Sequence, residues 1–548
     1  MRRVVFVVIA SATLLLMSST AGLTNDKQQA LTVASHGDPF ASCLVTGANA
    51  LTSIAANFPD TELEPWVASN PANRRNLIGS YQQDRWTDGG AKGLVAAYSL
   101  NSGQSWKQVP LPFSECAGPF YGGNVLHYER ASDPFDSIGK DGIAYAVSLS
   151  FSNNGDNAVG AARSTDGGRT WTNQQTIIAD SGADPTLPFN DKESVTADPS
   201  APGTAYAVWD RSFVAPCSAG PRALGSGQRP QTRISKERPA GTAGQNRTGT
   251  AAAAPAAAAP VCFVEPTYFS KTTDGGVHWS PPQVIVPTAA GEATISNQIV
   301  VNRQTGALYN FFTFFDNQGG ISVELVISLD GGATWSGRQL VSSEDVVGIS
   351  DPRNPFLAVR SGIIVNPAID PRSGQLYVAW EASFNGSRND EAVISTSPSG
   401  LTGSWSPPSL ISPPGDPGAF IPQIDVNQRG QVGALFYDFR NLTAGTPASI
   451  LPTDTWFRRT NGPGVAFSHE EHLGRFNMLM APVAGGFFVG DYEGLVAQQD
   501  NSFLAFFSQS VCADVSCPAS GNGIGAPTHA PDPQDIFATT TGGGDGQN

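Results

Sequence analysis

Short runs rich in Val, Ala, Tyr and Ser alternate with turns rich in Gly, Asn and Asp along most of this 548-residue chain. This alternation is typical of half-buried β-strands joined by tight turns. The runs come in pairs, and a third run follows, as at 93–100 and 322–329. The pairs occupy 64–85, 131–151, 192–211, 296–316, 363–381, 420–440 and 487–508. The pattern therefore predicts an all-β chain built from one repeated antiparallel sheet.

An octet of the form Ser/Thr-x-Asp-x-Gly-x-x-Trp recurs after the third run. Three copies are nearly perfect, and they occupy 164–171, 272–279 and 328–335. Three weaker copies occupy 99–106 with Asn101 in the Asp place, 395–405 with three extra residues, and 460–467 with the Asp lost. Asp and Ser side chains can bond the backbone of the turn, Gly supplies positive φ, and Trp covers the sheet edge. The octet therefore predicts a rigid hairpin tip between a third and a fourth strand.

The spacing of the octets defines the repeat unit. Their aromatic ends lie 56 to 70 residues apart, except for one step of 108, and removal of the 46 residues 217–262 reduces that step to 62. A unit of about 60 residues is enough for one four-stranded blade of a β-propeller. We predict a single propeller over 61–548 with the octets on its bottom face.

The number of blades follows from the pairs and not from the octets. Seven pairs favour seven blades, with 536–544 as the third strand and decayed tip of the last blade. Because a terminus usually completes the ring, the segment 22–60 is expected to supply the missing strand. A six-bladed ring, with the last pair as a flanking hairpin, is the alternative.

The first residues predict export. Arg2 and Arg3 precede an apolar run from Val4 to Met17, and Ser19 and Ala21 have the spacing of a signal-peptidase site. This is the pattern of a secretory signal peptide over 1–21, with an uncleaved anchor as the alternative. No later segment is long enough for a membrane span.

Composition narrows the class of partner. Loss of 1–21 takes the formal charge from -15 to -17, which argues against nonspecific binding of nucleic acid or an anionic membrane. Only 14% of the residues are charged, and the 59 Gly and 41 Pro residues fit a turn-rich sheet protein. We expect a secreted monomer.

Six cysteines in an exported chain can all pair, in any of 15 arrangements. Cys512 and Cys517 close a short loop, Cys217 and Cys262 flank a low-complexity insertion, and Cys43 and Cys116 remain. The insertion is rich in Ala, Gly, Pro and Arg and cannot form a core. It is either a basic flap on an acidic body or a tolerated surface loop.

The octets resemble the Asp boxes, or bacterial neuraminidase repeats, of the sialidase superfamily, and the similarity extends over nearly the whole chain. Phrases such as Glu64-Pro-Trp-Val and Gly490-Asp-Tyr-Glu-Gly are also similar to those of exported bacterial propellers of this type. The resemblance implies the propeller fold. Because Asp boxes also occur in other glycosidases and in propellers that only bind, function has to be argued from the site.

Strand alternation places the candidate site at the end of the ring opposite the octets. First strands present carboxylates there, and second strands end in arginines. The predicted substrate-binding residues are Glu64, Asp133, Arg85, Arg211 and Arg440. The predicted catalytic residues are Asp191, Glu193, Asp491, Tyr492 and Glu493.

The resemblance assigns roles to these residues. A sialidase grips the substrate carboxylate with arginines and uses a Tyr nucleophile paired with Glu plus an acid–base Asp. Where sialidases carry Phe/Tyr-Arg-Ile-Pro, however, this chain has Glu64-Pro-Trp-Val. That departure places a negative charge where a sialidase has an arginine that binds the substrate carboxylate.

Two functions remain open at this point. One is an exported sialidase-like glycoside hydrolase acting on extracellular glycans. The other is a noncatalytic propeller that binds a glycan or glycoprotein, in which each arginine only pairs with its neighbouring aspartate. The carboxylates also allow a calcium site or a pair of acid–base carboxyls. His469-Glu-Glu-His472 lacks the spacing of a zinc motif, and no metal or cofactor is predicted.

Overall fold

The computed structural model describes residues 31–44, 56–217, 261–384, 386–510 and 534–542. Within these ranges nearly all regular structure is β-strand, and short 3-10 turns occur at Glu115–Phe120 and Met478–Met480. The strands are β1 (Thr32–Val33), β2 (Glu62–Ser69), β3 (Leu77–Arg85), β4 (Ala91–Ser99), β5 (Lys107–Pro110), β6 (Arg130–Ile138), β7 (Ala144–Phe151), β8 (Asn157–Ser164), β9 (Thr172–Asp180), β10 (Phe189–Ala197), β11 (Ala205–Pro216), β12 (Val261–Val264), β13 (Thr267–Thr272), β14 (Gln283–Val286), β15 (Ala293–Val301), β16 (Leu308–Phe315), β17 (Ile321–Ser328), β18 (Gln339–Glu344), β19 (Ile349–Asp351), β20 (Asn354–Val359), β21 (Asn366–Ile369), β22 (Leu376–Ala382), β23 (Glu391–Ser397), β24 (Ser409–Leu410), β25 (Ala419–Val426), β26 (Val432–Asp438), β27 (Pro452–Thr460), β28 (Phe467–Asn477), β29 (Gly494–Ala497), β30 (Phe503–Ser510) and β31 (Gln534–Thr541).

The strands form antiparallel, mostly four-stranded sheets, which confirms the all-β prediction. Consecutive strands pair in order within each sheet, as in β15-β16-β17-β18 and β25-β26-β27-β28. A single bridge between Ala91 and Ala131 joins the first sheet to the second. The sheet β29-β30-β31 is extended by β1, which pairs antiparallel with β31. Strands from near both ends of the chain therefore share one sheet.

The first strands of the sheets surround a common axis. Each packs against the first strand of the next sheet, in the order β2, β6, β10, β15, β21, β25 and β29, and β29 packs against β2 again. Five of these strands carry a β-bulge in which one residue has positive φ. These residues are Glu64, Asp133, Lys192, Ser296 and Ile421. The bulge turns the start of each strand and aims its side chains towards the axis.

The octets lie at the opposite end of the strands from these bulges. In the first sheet Ser69, the last residue of β2, pairs with Leu77, which pairs with Ser99, the first residue of the octet. The same register occurs in the other sheets that carry an octet with a capping Ser, for example from Val301 through Leu308 to Ser328. We call this edge of the sheets the octet end.

Hydrogen bonds inside the octet hold the turn as its sequence predicts. Ser164 Oγ donates to Asp166 Oδ1 at 2.9 Å and accepts from Gly168 N at 3.0 Å, and Thr170 N donates to Asp166 Oδ1 at 3.0 Å. The copies that begin at Ser99, Thr272 and Ser328 repeat the first two bonds with Asn101, Asp274 and Asp330.

The fifth octet begins two residues later than the sequence pattern predicts. Ser395 lies within β23 and donates to Ser406 O at 2.6 Å, whereas Ser397 Oγ accepts from Gly400 N at 2.9 Å. Ser399 occupies the Asp place and contacts Ser404 through its hydroxyl. The octet therefore begins at Ser397 and not at Ser395, and the prediction of three extra residues was wrong. The hydroxyls of Ser399 and Ser404 take the place of the carboxylate in this copy.

The octet tryptophans join neighbouring sheets. Trp106 packs against Phe506 at 5.2 Å between ring centroids, and Trp335 packs against Phe269 at 5.5 Å. In both cases the phenylalanine belongs to the preceding sheet around the axis. The tryptophan therefore stabilises the contact between sheets as well as the edge of its own.

Two of the predicted disulfides are confirmed. Cys43 bonds to Cys116, and Cys217 bonds to Cys262. Cys512, Cys517, the signal-peptide prediction and most of the insertion lie outside the described residues. Among the described residues, no helix has the length and hydropathy that a membrane span needs.

We expect Trp106→Ala to lower the free energy of unfolding by about 3–5 kcal/mol, because it removes a buried indole from between two sheets. Chemical denaturation followed by circular dichroism measures the loss. Phe356→Ala is the control, because 80% of the Phe356 side chain is exposed and its loss should change little. Equal effects of the two substitutions would contradict the packing role of Trp106.

Candidate functional site at the ring axis

Three of the predicted carboxylates meet around a lysine at the axis. Lys192 Nζ lies 2.6 Å from Asp133 Oδ1, 2.8 Å from Asp491 Oδ2 and 3.4 Å from Glu64 Oε1. Glu64 belongs to β2, Asp133 to β6, Asp491 lies in the segment just before β29, and Lys192 comes from the bulge of β10. All four side chains are at most 5% exposed. The lysine therefore ties together the starts of several first strands.

Arg360 adds a second cation to this group. Its Nη2 and Nε donate to Asp491 Oδ2 and Oδ1 at 2.7 and 3.2 Å. Although burial alone would raise it, Arg360 and Lys192 hold the pKa of Asp491 well below its usual range. We call Glu64, Asp133, Lys192, Arg360 and Asp491 the axial cluster.

A cover built from two chain segments closes this end of the axis. The hairpin of β19 and β20 leads into Arg360, and Val359 forms a parallel bridge with Phe487. Phe488 is fully buried, with the guanidinium of Arg360 4.2 Å and that of Arg85 4.9 Å from its ring centroid. The axial cluster is therefore separated from solvent at this end.

Arg85 lies in the core beside the axial cluster. It is 0% exposed, and its Nη1 donates to Gln82 Oε1 at 2.8 Å. Gln82 Nε2 in turn contacts Glu64 Oε2 and donates to Ser132 Oγ at 2.9 Å. Arg85 thus supports the cluster from the second strand of its sheet and does not pair with Asp84, which Lys92 contacts at 2.7 Å.

Asp191 and Glu193 flank Lys192 in the same bulge. Both are buried, and Asp191 Oδ1 accepts from Lys192 N at 3.1 Å. Burial and the nearby charge of Asp133 raise the pKa of Glu193 well above its usual range. The ionised form of Glu193 is therefore disfavoured in this bulge.

The structure does not bring Tyr492 and Glu493 together. The Tyr492 ring packs against Phe135 at 4.7 Å, and its hydroxyl donates to Pro134 O at 3.2 Å. Glu493 instead accepts from the Tyr437 hydroxyl at 2.7 Å and from Ser508 N at 2.9 Å. This Tyr437–Glu493 pair is buried, and burial raises the pKa of both groups well above their usual ranges.

Arg211 lies away from the axial cluster and pairs with an outer strand. Its Nη2 and Nε donate to Asp180 Oδ1 and Oδ2 at 2.6 and 2.8 Å. The guanidinium carbon lies 5.5 Å from the Tyr268 ring centroid. Asp210, its neighbour in sequence, bonds instead to Thr294, Ser296 and Asn297 of the next sheet.

Arg440 pairs within its own sheet. Its Nε lies 2.5 Å from Asp438 Oδ2, its Nη1 donates to Glu470 Oε1 at 2.9 Å, and its guanidinium carbon lies 4.0 Å from the Trp456 ring centroid. Burial, followed by the charge of Asp438, raises the pKa of the adjacent Asp416 to about 9. Asp416 therefore favours its protonated form at neutral pH beside Asp438 and Arg440.

The sequence-predicted residues thus divide into two groups. Glu64, Asp133 and Asp491 converge in the axial cluster, with Arg85 beside it, whereas Arg211 and Arg440 lie at separate rim positions with their own carboxylates. The assignment of Asp191, Glu193, Asp491, Tyr492 and Glu493 as catalytic residues stays a prediction.

Sequence reasoning missed Lys192, Arg360 and Phe488. Lys192 stands between two carboxylates that matched the expected pattern, and the signal for it was its place in the bulge, where Glu64 and Asp133 stand in other sheets. Arg360 and Phe488 lie in segments between sheets, for which the repeat offers no counterpart. Their contacts depend on how these segments fold over the axis.

The described residues contain no group of three or more His, Cys, Asp or Glu side chains arranged to hold a metal ion. In the axial cluster three carboxylates instead surround two cations, and each carboxylate lies within 3.4 Å of Lys192 or Arg360. Ion pairs of this kind, once buried, are costly to open, because each separated charge would have to be solvated or protonated. The arrangement is suited to holding strands in place and offers no vacant cation for a substrate carboxylate among its members.

No protein-family model matches the chain, and no curated protein is similar to it. Its fold has counterparts among solved structures at low identity. Hadza microbial sialidase Hz136 is 13% identical with a TM-score of 0.43, over 84% of this chain and 75% of that one.

Two further structures are similar at the same level. The α-L-arabinanase of Penicillium chrysogenum, solved with arabinobiose, is 9% identical over 89% of this chain and 97% of that one, with a TM-score of 0.40. A protein of unknown function from Dyadobacter fermentans is 11% identical over 76% and 96%, with a TM-score of 0.39. At TM-scores below 0.5 these likenesses assign no activity to this chain.

We expect Lys192→Met to lower the free energy of unfolding by about 3–5 kcal/mol, because it leaves buried carboxylates without their cation. The loss should be larger at pH 8 than at pH 5. Without Lys192 the pKa values of these carboxyls rise in the folded state, so the folded protein binds more protons than the unfolded chain and stability falls as pH rises.

Urea titrations of the variant and the parent at both pH values measure this effect. Lys107→Met is the matched control, because Lys107 is exposed on β5. A pH-independent loss equal to that of the control would contradict the ion-pair role of Lys192.

We expect Asp416→Asn to stabilise the protein more at pH 8 than at pH 5. The folded pair keeps a proton up to about pH 9, which the unfolded carboxyls release near pH 4. Parent stability therefore falls with rising pH between these values, by up to about 1.4 kcal/mol per pH unit. The amide is neutral in both states and avoids this loss. Melting temperatures at the two pH values, with the exposed Asp345→Asn as control, test the prediction.

Proposed function

We propose that this chain is an exported, sialidase-like Asp-box propeller that binds an extracellular glycan or glycoprotein without hydrolysing it. The observation that carries the proposal is the closed axial cluster. At the end of the ring where a sialidase-like site was expected, Lys192 and Arg360 are both paired with carboxylates beneath a buried Phe488. A sugar carboxylate would find no unpaired arginine there.

We infer that the ring has seven blades with the octets on the bottom face. The closed cycle of first strands and the pairing of β1 with β31 support this count. The register that aligns the end of each first strand with the start of an octet supports the placement. On this proposal 22–60 completes the last blade, and 217–262 is an insertion held by its disulfide.

The proposed binding surface is the rim that carries Arg211 and Arg440. At each position a guanidinium lies over an aromatic ring and pairs with a carboxylate. Arg211 lies over Tyr268 of its own sheet and pairs with Asp180 of the preceding sheet, and Arg440 lies over Trp456 and pairs with Glu470, both of its own sheet. Side chains of this kind combine an apolar face with donors and acceptors, which sugar hydroxyls need. Two disulfides and an acidic surface are compatible with export.

The proposal predicts that the purified protein does not hydrolyse fluorogenic sialosides or arabinosides. It also predicts that the protein binds one or more glycans on a glycan array. Arg440→Ala and Arg211→Ala should each lower the affinity for such a glycan about tenfold, which corresponds to about 1.4 kcal/mol of binding free energy. Lys107→Met, on the outer strand of the first sheet, is the control. Turnover that disappears in Asp491→Asn would reject the noncatalytic function, and an array without binding would reject the glycan partner.

A further inference from the structure

A cavity of about 250 Å³ lies on the axis below the axial cluster. It begins at Trp66, beyond the bulge of β2, and extends to Ser69 at the octet end of that strand. Ala68 and Ser69 are half-buried, whereas Glu62 to Glu64 are buried. Access to the cavity is therefore from the octet end, opposite the rim of the proposed glycan site.

The walls of the cavity are acidic and carry no cation. Asp136 and Asp425 belong to its lining, and none of the described lining residues is Lys, Arg or His. Burial raises the pKa of Asp136 well above its usual range, so the negative charge of the walls rests mainly on Asp425. Asp425 is half-buried and accepts from Val426 N and Ala497 N, both at 2.7 Å. Burial raises its pKa to about 6, so this carboxyl is ionised at neutral pH. The cavity thus differs from the axial cluster, where each acid faces a cation.

One polar atom in the walls has hydrogen-bonding capacity that the described residues leave unused. Asp136 is 1% exposed and its Oδ1 accepts from Ser80 Oγ at 2.8 Å, whereas its Oδ2 has no partner among the described residues. A buried polar atom without a partner is costly, which indicates that something in the cavity completes this bond. Gln298 also lines the cavity and offers a further amide donor and acceptor.

One wall is aromatic. The Trp66 ring is half-buried, lines the cavity, and packs against Phe135 at 4.3 Å between ring centroids. A cation within about 6 Å of an indole face is attracted by the ring quadrupole. An anion is disfavoured here, because carboxylates share the walls with this ring.

The volume of the cavity and the side chains that line it indicate which class of cation it can bind. The volume corresponds to about eight water molecules at ~30 Å³ each. A bare divalent metal needs several oxygen ligands at once, and no group of three acidic or His side chains converges within the described chain. A small organic ammonium ion can enter this space, whose lining includes both the Asp425 carboxylate and the Trp66 indole.

We propose that this axial cavity binds a small organic ammonium ion, which enters from the octet end and is held by Asp425, Gln298 and the face of Trp66. The ammonium group lies against the Asp425 carboxylate and the indole. A hydroxyl or second polar group of the ligand bonds to the amide of Gln298. This site is separate from the rim and does not depend on the proposed glycan binding.

Isothermal titration with choline at neutral pH tests the proposal on the parent protein. The expected result is saturable binding at one site, weakened about tenfold or more in Asp425→Asn, because the charge contact is lost. Asp345→Asn removes the same charge from an exposed position outside the cavity and should bind like the parent.

A second variant keeps the test decisive if Asp425→Asn folds poorly. Thr196 is half-buried and lines the cavity, so Thr196→Lys places an ammonium group inside it and should abolish choline binding while the far-ultraviolet spectrum is unchanged. Absence of choline binding in the parent, or equal binding in Thr196→Lys, would overturn the site. Calcium that displaces choline would overturn the ligand class, and failure of the glycan array would leave this result unaffected.

Discussion

The ring depends on the contact of Lys192 with the carboxylates of Glu64, Asp133 and Asp491. Glu64, Asp133 and Lys192 itself all have positive φ, with values of 54°, 49° and 51°. Such backbone costs about 1–3 kcal/mol for each residue outside glycine and persists only where surrounding contacts fix it. The ion pairs provide those contacts, because Glu64, Asp133 and Lys192 all stand at bulges and their side chains meet there. Backbone strain and charge neutralisation are therefore two parts of one constraint.

The octets show what sequence can predict well. Their hydrogen bonds join residues at most four positions apart, as between Ser164 and Gly168, so the eight residues contain nearly all of the information about the turn. The four-stranded antiparallel sheets follow from the same local signals. The fifth octet was misplaced because Ser399 takes the part of an aspartate, and a hydroxyl in that position has no distinctive sequence pattern.

The axial cluster was predictable only in part. Strand alternation placed Glu64, Asp133 and Asp491 at one end of the ring, and the structure brings them together. Their common partner could not be derived, because Lys192 is 59 residues from Asp133 and 128 from Glu64 in sequence. Arg360 follows the hairpin of β19 and β20, which is not part of the repeated sheet. Long-range charge pairing depends on the closed ring, and no local pattern encodes it.

The bulge also explains why the two ends of the axis differ in electrostatics. Above it, Lys192 and Arg360 are paired with Glu64, Asp133 and Asp491, and the buried Phe488 covers this group. Below it, the strands resume regular pairing, and Asp425 faces the cavity without a basic side chain among the described lining residues. The uncompensated charge therefore lies at the end that is open to solvent. A ring with this charge distribution attracts cations from the octet end. It offers an acidic sugar no unpaired cation of the axial cluster. Recognition of a glycan therefore has to take place at the rim, where Arg211 and Arg440 occupy separate positions.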